Sequence, residues 1–127
     1  MSKRKVLIVD DDANVAWVTK LVLERTGTYD VRTESNPKLA LRAAQDFHPD
    51  VVLLDVIMPG RDGGTVAAEI RLDERLKNTP IIFLTAIVGK DEAASREGPG
   101  GDTAMLAKPA TGAQLMAAIE KSLSDRH

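Results

Sequence analysis

The chain contains no cysteine, so it has no disulfide framework, thiolate metal ligand or cysteine nucleophile. Aromatic residues amount to 3% of it, too few for the stacking platform on which single-stranded nucleic-acid bases rest. His48 and His127 are its two histidines, isolated from one another, and they make neither a metal site nor a phosphorelay histidine. A dominant charge sign is missing as well. With 17 basic and 19 acidic residues the net charge is −2, which gives no electrostatic case for direct nucleic-acid or membrane binding. No apolar run approaches the ~20 residues of a membrane span or supplies the core of a signal peptide. The cytoplasm is the expected location.

What is present is organised around short apolar runs that each stop at a reactive polar residue. VLIV ends at Asp10, Asp11 and Asp12, VVLL at Asp55, IIFL at Thr85, and Met105-Leu106-Ala107 at Lys108. Runs of this kind suit strands buried on both faces. Helical patterns fall between them. The first is expected from about residue 13 to 26, with Val15, Val18 and Val22 as its inner stripe, Trp17 and Leu21 as further packing, Asp11 or Asp12 as cap, and Gly27 as terminator. Tyr29 to Thr33 alternates like an edge strand. Asn36-Pro37 then opens a helix with Ala40, Ala43, Ala44 and Phe47 on one face, which His48-Pro49 stops. Met58 to Gly64 reads as a loop leading into a helix near residues 65–72, with Gly63-Gly64 as a turn. Residues 90–97 have helical composition, cut off by Gly98-Pro99-Gly100-Gly101. Thr111 and Gln114 form a capping-box pattern ahead of Leu115, Ala118, Ile119 and Leu123.

Alternation of strands and helices over 127 residues predicts one α/β domain, with helices on both faces of a five-stranded parallel sheet. The doubly wound flavodoxin-like (βα)5 order 2-1-3-4-5 fits best. It sets the first and third strands side by side at the switch point, where ligands bind beyond the C-terminal strand ends. Carboxylates, a hydroxyl and an ammonium would gather there, a set suited to a divalent cation and a phosphoryl group.

These blocks, VLIVDDD, VVLLDVIMPGRDGG, IIFLTA and the Lys108-Pro109 pair, resemble in order and spacing the receiver domain of bacterial two-component response regulators. The likeness runs from about residue 4 to 124 and implies a single receiver domain with no effector domain. It implies that Asp55 is the phosphoacceptor, taking its phosphoryl group from the phosphohistidine of a sensor histidine kinase or phosphotransfer protein. Such a domain then alters its binding to a downstream protein target, and it is not an enzyme acting on an external substrate. Mg²⁺ is the implied cofactor, with Asp11 and Asp55 as direct ligands, Asp10 acting mainly through water, and the backbone carbonyl of Ile57 adding an oxygen. Lys108 would pair with the carboxylate when the site is empty and with phosphoryl oxygen when it is full. Thr85 and the amide of Ala86 would donate to that group as well.

Met105 stands where the family often carries Tyr or Phe, which makes it the switch position in a weaker, repacking form. The Gly98–Gly101 segment shortens the face used for pairing, consistent with a monomer or weak dimer. Ile57 and Ile87 offer no polar group to orient a hydrolytic water, so the acyl phosphate is expected to be long-lived, and a faster loss in Ile87→Glu would check it. Two other readings stand beside this one. A phosphorylation-independent interaction scaffold of the same fold is opposed by the intact Asp10, Asp11, Asp55, Thr85 and Lys108. An aspartyl-phosphate phosphatase would want a second carboxylate where Ile57 stands.

Overall fold

Because both faces of the central strands are covered, their apolar residues run on without alternation. In the structure, a computed structural model that describes residues 3–85, 104–108 and 110–125, these runs become β1 (Arg4–Val9), β2 (Tyr29–Glu34), β3 (Val51–Asp55), β4 (Ile81–Thr85) and β5 (Ala104–Ala107). All pair in parallel in the order β2-β1-β3-β4-β5, the flavodoxin-like arrangement expected. Among the described residues the helices are α1 (Ala13–Glu24), α2 (Ala40–Phe47), α3 (Gly63–Leu72) and α4 (Gly112–Ser124). The helix expected over 90–97 and the segment Gly98–Gly101 lie outside the described residues.

Successive strand side chains point to opposite faces, and two cores result. Leu7, Val9, Val52, Leu54 and Phe83 pack under α2 and α3. Val6, Ile8, Val51, Leu53, Ile82 and Leu84 pack under α1 and α4. Met105 is half-buried against the first core and lies opposite Phe83 in the β4–β5 register. Tyr29, at the start of β2, is buried and donates its hydroxyl to Glu120 Oε2 at 2.6 Å. Burial first, then the Glu120 bond and charge, push its phenol well above the usual range. This ties the edge strand to α4.

Helix α1 departs from the expected face. Ala16 and Leu23, seven residues apart, meet the sheet, Val22 is half-buried near Gly112 of α4, and Val15 and Val18 are exposed. Trp17 at 59% exposure and Leu21 at 39% are also outside, so neither supplies the packing expected of it. The reason is that α1 is apolar nearly all round, and a pattern without a polar stripe does not say which side turns inward. The groove between sheet and α4 decides it. Smaller differences concern the ends. Of the two expected candidates Asp12 caps α1, accepting from the amides of Asn14 and Val15. Gly27 does terminate the helix region at a φ of +78°. Asn36 caps the next segment through Lys38 N at 3.0 Å, but its first turn, Pro37–Leu39, is a 3₁₀ turn before α2 begins. Gly63-Gly64 is the start of α3 rather than a turn, because Asp62 caps it by accepting from Thr65 N at 2.8 Å. The capping box at Thr111 forms with both reciprocal bonds.

Candidate functional site

The sheet register assembles the site. Val9 lies opposite Leu54, so Asp10 and Asp55 follow side by side beyond it. Asp55 pairs with Leu84, and Thr85 with Ala107, the residue before Lys108. Asp10 and Asp55 are buried, with 1% and 6% exposed, and Asp11 is exposed. Carboxylate oxygens of the three lie within 4.8 Å of one another. Lys108 Nζ reaches Asp10 Oδ2 at 2.6 Å and Asp55 Oδ2 at 3.4 Å. The other Asp10 oxygen accepts from the amide of Asp12 at 2.9 Å, and Asp55 Oδ1 accepts from the amide of Ile57 at 3.3 Å.

Three carboxylates and one ammonium leave the site rich in negative charge. Burial pushes the Asp55 carboxyl up to about 6; Lys108 pulls it down, Asp10 raises it, the Ile57 amide lowers it and Asp11 raises it. On Lys108, burial works against the charged form, yet the hydrogen bond and charge of Asp10, followed by those of Asp55, outweigh it and raise the pKa. A hard divalent cation satisfies such a donor set, since clustered carboxylate oxygens are what Mg²⁺ takes from proteins. The residues present therefore fit the group.

A family model described as the response regulator receiver domain matches residues 6–120. The chain belongs to that family. Receiver domains are signalling modules rather than classical enzymes. This receiver is 36% identical over 118 residues to response regulator PleD of Caulobacter vibrioides, covering 91% of this chain and 25% of PleD, so it spans about a quarter of that relative. It is 32% identical over 126 residues to the polar-differentiation response regulator DivK of Brucella ovis, covering 98% of this chain and 99% of DivK. Among solved structures, the Vibrio cholerae chemotaxis protein CheY4 superposes with a TM-score of 0.83 at 30% identity, covering 96% of this chain and all of that one. The receiver domain of the Pseudomonas aeruginosa sensor histidine kinase PA1611, at a TM-score of 0.80 and 28% identity over 97% of this chain and 99% of that one, holds a magnesium ion coordinated in its active-site cleft.

Of the residues singled out in the sequence, the receiver fold brings Asp10, Asp11, Asp55 and Lys108 together, with the Ile57 amide donating to Asp55 Oδ1. The Ile57 side chain is 53% exposed. Thr85 ends β4 beside the site, but its side chain, like Ala86 and Ile87, lies outside the described residues. Lys108 sits closer to Asp10 than to Asp55, a preference hidden from a reading centred on the strand-end aspartate. Sequence reasoning also passed over Asp62 as a cap and took Gly63 for part of a turn. The signal was there: an aspartate three residues before Thr65, next to a glycine, is an N-cap pattern.

Proposed function

We propose that this receiver accepts a phosphoryl group on Asp55 from the phosphohistidine of a sensor histidine kinase or phosphotransfer protein, and that the acyl phosphate changes which protein target it binds. The observation that carries the reading is the buried Asp55 carboxylate, set against Asp10, Asp11 and the Lys108 ammonium. An Asp55 carboxylate oxygen forms the new bond to phosphorus while the phosphorus–nitrogen bond of the phosphoimidazole breaks, and the bond's electron pair leaves with the imidazole nitrogen, which takes up a proton. The nucleophile must be ionised, and a carboxyl titrating near 6 is so at neutral pH.

Asp11 and Asp55 would hold Mg²⁺ directly, with Asp10 through water and the Ile57 carbonyl as a further donor. Bound there, the ion supplies positive charge against the oxygens of the incoming phosphoryl group. Lys108 is already held at the cluster and has only to exchange a carboxylate oxygen for a phosphoryl oxygen. Thr85 and Ala86, at the next strand end, would donate to the same group, and Met105, packed against Phe83 on the neighbouring strand, would repack with them. The domain's product is a conformational population, not a released molecule. The exposed Trp17, Val18 and Leu21 lie on the helix that directly follows the acidic residues, where a protein donor reaching Asp55 would rest. Trp17→Ser is expected to slow transfer from a protein donor and to leave transfer from acetyl phosphate unchanged; equal slowing of both would remove this docking role.

The decisive test is incubation with acetyl phosphate and Mg²⁺ followed by intact-mass measurement. Wild type is expected to gain one phosphoryl adduct that Asp55→Asn lacks. An adduct on neither protein sinks the proposal, and an adduct on both moves the acceptor elsewhere.

A further inference from the structure

Gly63 owes its place to space rather than to backbone angle. It is the first residue of α3, and a Cβ added to it would overlap the Asp55 carbonyl oxygen, lying also 2.9 Å from Val56 Cα and 3.1 Å from the Asp55 carbonyl carbon. These are backbone atoms, so no side-chain rotation relieves the clash. Three other glycines differ in kind. Gly27 and Gly60 have positive φ and open space around the missing Cβ, while Gly112 meets only the end of the Val22 side chain at 3.0 Å.

The close approach is also a bonded one. Gly63 N donates to Val56 O at 2.9 Å, and the Asp62 cap holds the same helical turn through Thr65 N. From the opposite side, Val56 N donates to Leu84 O at 3.1 Å. The end of β3 is thus clamped between β4 and the first turn of α3, and Asp55 is the residue in the clamp.

We propose that Gly63 is a positioning residue for phosphoryl acceptance. Its missing side chain lets α3 press against the Asp55–Val56 backbone, and that contact sets where the Asp55 carboxylate stands relative to Asp10, Asp11 and Lys108. The inference rests on Asp55 being the acceptor. A methyl group at position 63 forces either α3 to retreat from Val56 or the Asp55–Val56 peptide to move. Asp10 and Asp11 follow the end of β1 and Lys108 the end of β5, and they do not move with it. Metal affinity and phosphoryl transfer both depend on that mutual alignment. The core on the other sheet face, under α1 and α4, contains no residue of α3 and depends on it far less.

The test uses the full chain with Gly63→Ala, and with Gly112→Ala as a crowding control whose added Cβ meets only the end of the Val22 side chain. In Gly63→Ala, Mn²⁺ affinity measured by electron paramagnetic resonance and the acetyl phosphate rate at saturating Mg²⁺ are each expected to fall about tenfold, with the wild-type circular dichroism spectrum retained. Gly112→Ala is expected to change neither. Affinity and rate both within about twofold of wild type in Gly63→Ala would overturn the proposal. Should that variant not fold, Asp62→Ala replaces it: loosening the clamp without adding bulk is expected to slow phosphorylation about threefold, and an unchanged rate overturns the proposal. A wild type that takes no phosphoryl group defeats the acceptor reading, and this inference with it, and is told apart by the wild-type measurement alone.

Discussion

At the N-terminal edge of the sheet Lys5 and Asp50 sit close together, as Lys108 and Asp10 do at the C-terminal edge, but their partners differ. Lys5 N donates to Asp50 Oδ2 at 2.8 Å, Asp50 N donates to Lys5 O at 2.8 Å, and Lys5 Nζ reaches Phe47 O at 3.3 Å while lying 5.5 Å from the Phe47 ring centroid. There the ionic groups stitch backbone to backbone and close the connection from α2 into β3. At the other edge Lys108 faces two buried carboxylates with a third beside them. The same residue types therefore serve stability at one edge and hold unbalanced charge at the other. Excess buried charge is costly unless a ligand answers it.

The sharpest way to break this contrast is to remove the cation from the crowded edge. Lys108→Ala strands Asp10 and Asp55 together, and chemical denaturation at pH 8 is expected to show a loss of about 3 kcal/mol. No loss would mean that the carboxylates do not strain the fold. Next in size is the acceptor itself. The folded pKa of Asp55 is raised, from 3.8 to about 6, so its contribution to stability is full below pH 4 and is lost as pH rises through about 6. Asp55→Asn is therefore expected to stabilise the Mg²⁺-free protein by about 2 kcal/mol at pH 8 and by almost nothing at pH 4. A gain independent of pH would contradict that origin. The smallest effect belongs to the opposite edge. Lys5→Ala forfeits one hydrogen bond and one cation–π contact, for an expected loss of about 1 kcal/mol, with the acetyl phosphate reaction unaltered. A slower reaction in Lys5→Ala would show that the two edges are coupled.

Much of this was legible before any coordinates. The strand ends at Asp10, Asp55 and Lys108 could be read because apolar runs covered on both faces leave few alternatives to a central parallel strand, and the first polar residue after each marks its end. The Thr111–Gln114 capping box and the Asn36 cap are local chemistry, complete within a few residues, and formed as written. Helix α1 was not legible. Val15, Trp17, Val18, Leu21 and Val22 present apolar side chains in several directions, and only the packing of Ala16 and Leu23 against sheet and α4 selects one. Gly63 was read as part of a turn for a related reason: the neighbour that its missing side chain makes room for is Asp55, eight positions away in the chain.

By itself, then, the sequence determined the five strands and the helices between them among the described residues, the strand order and the identity of the acidic and basic groups at the sheet edge. Each of these follows from side-chain polarity and from connections between neighbouring elements. Only the tertiary structure decided which oxygen Lys108 holds, which side of α1 meets solvent, and how closely α3 approaches the Asp55–Val56 backbone at position 63. Those outcomes depend on distances between segments remote in the chain, and such distances exist only once the sheet has closed and the helices have packed.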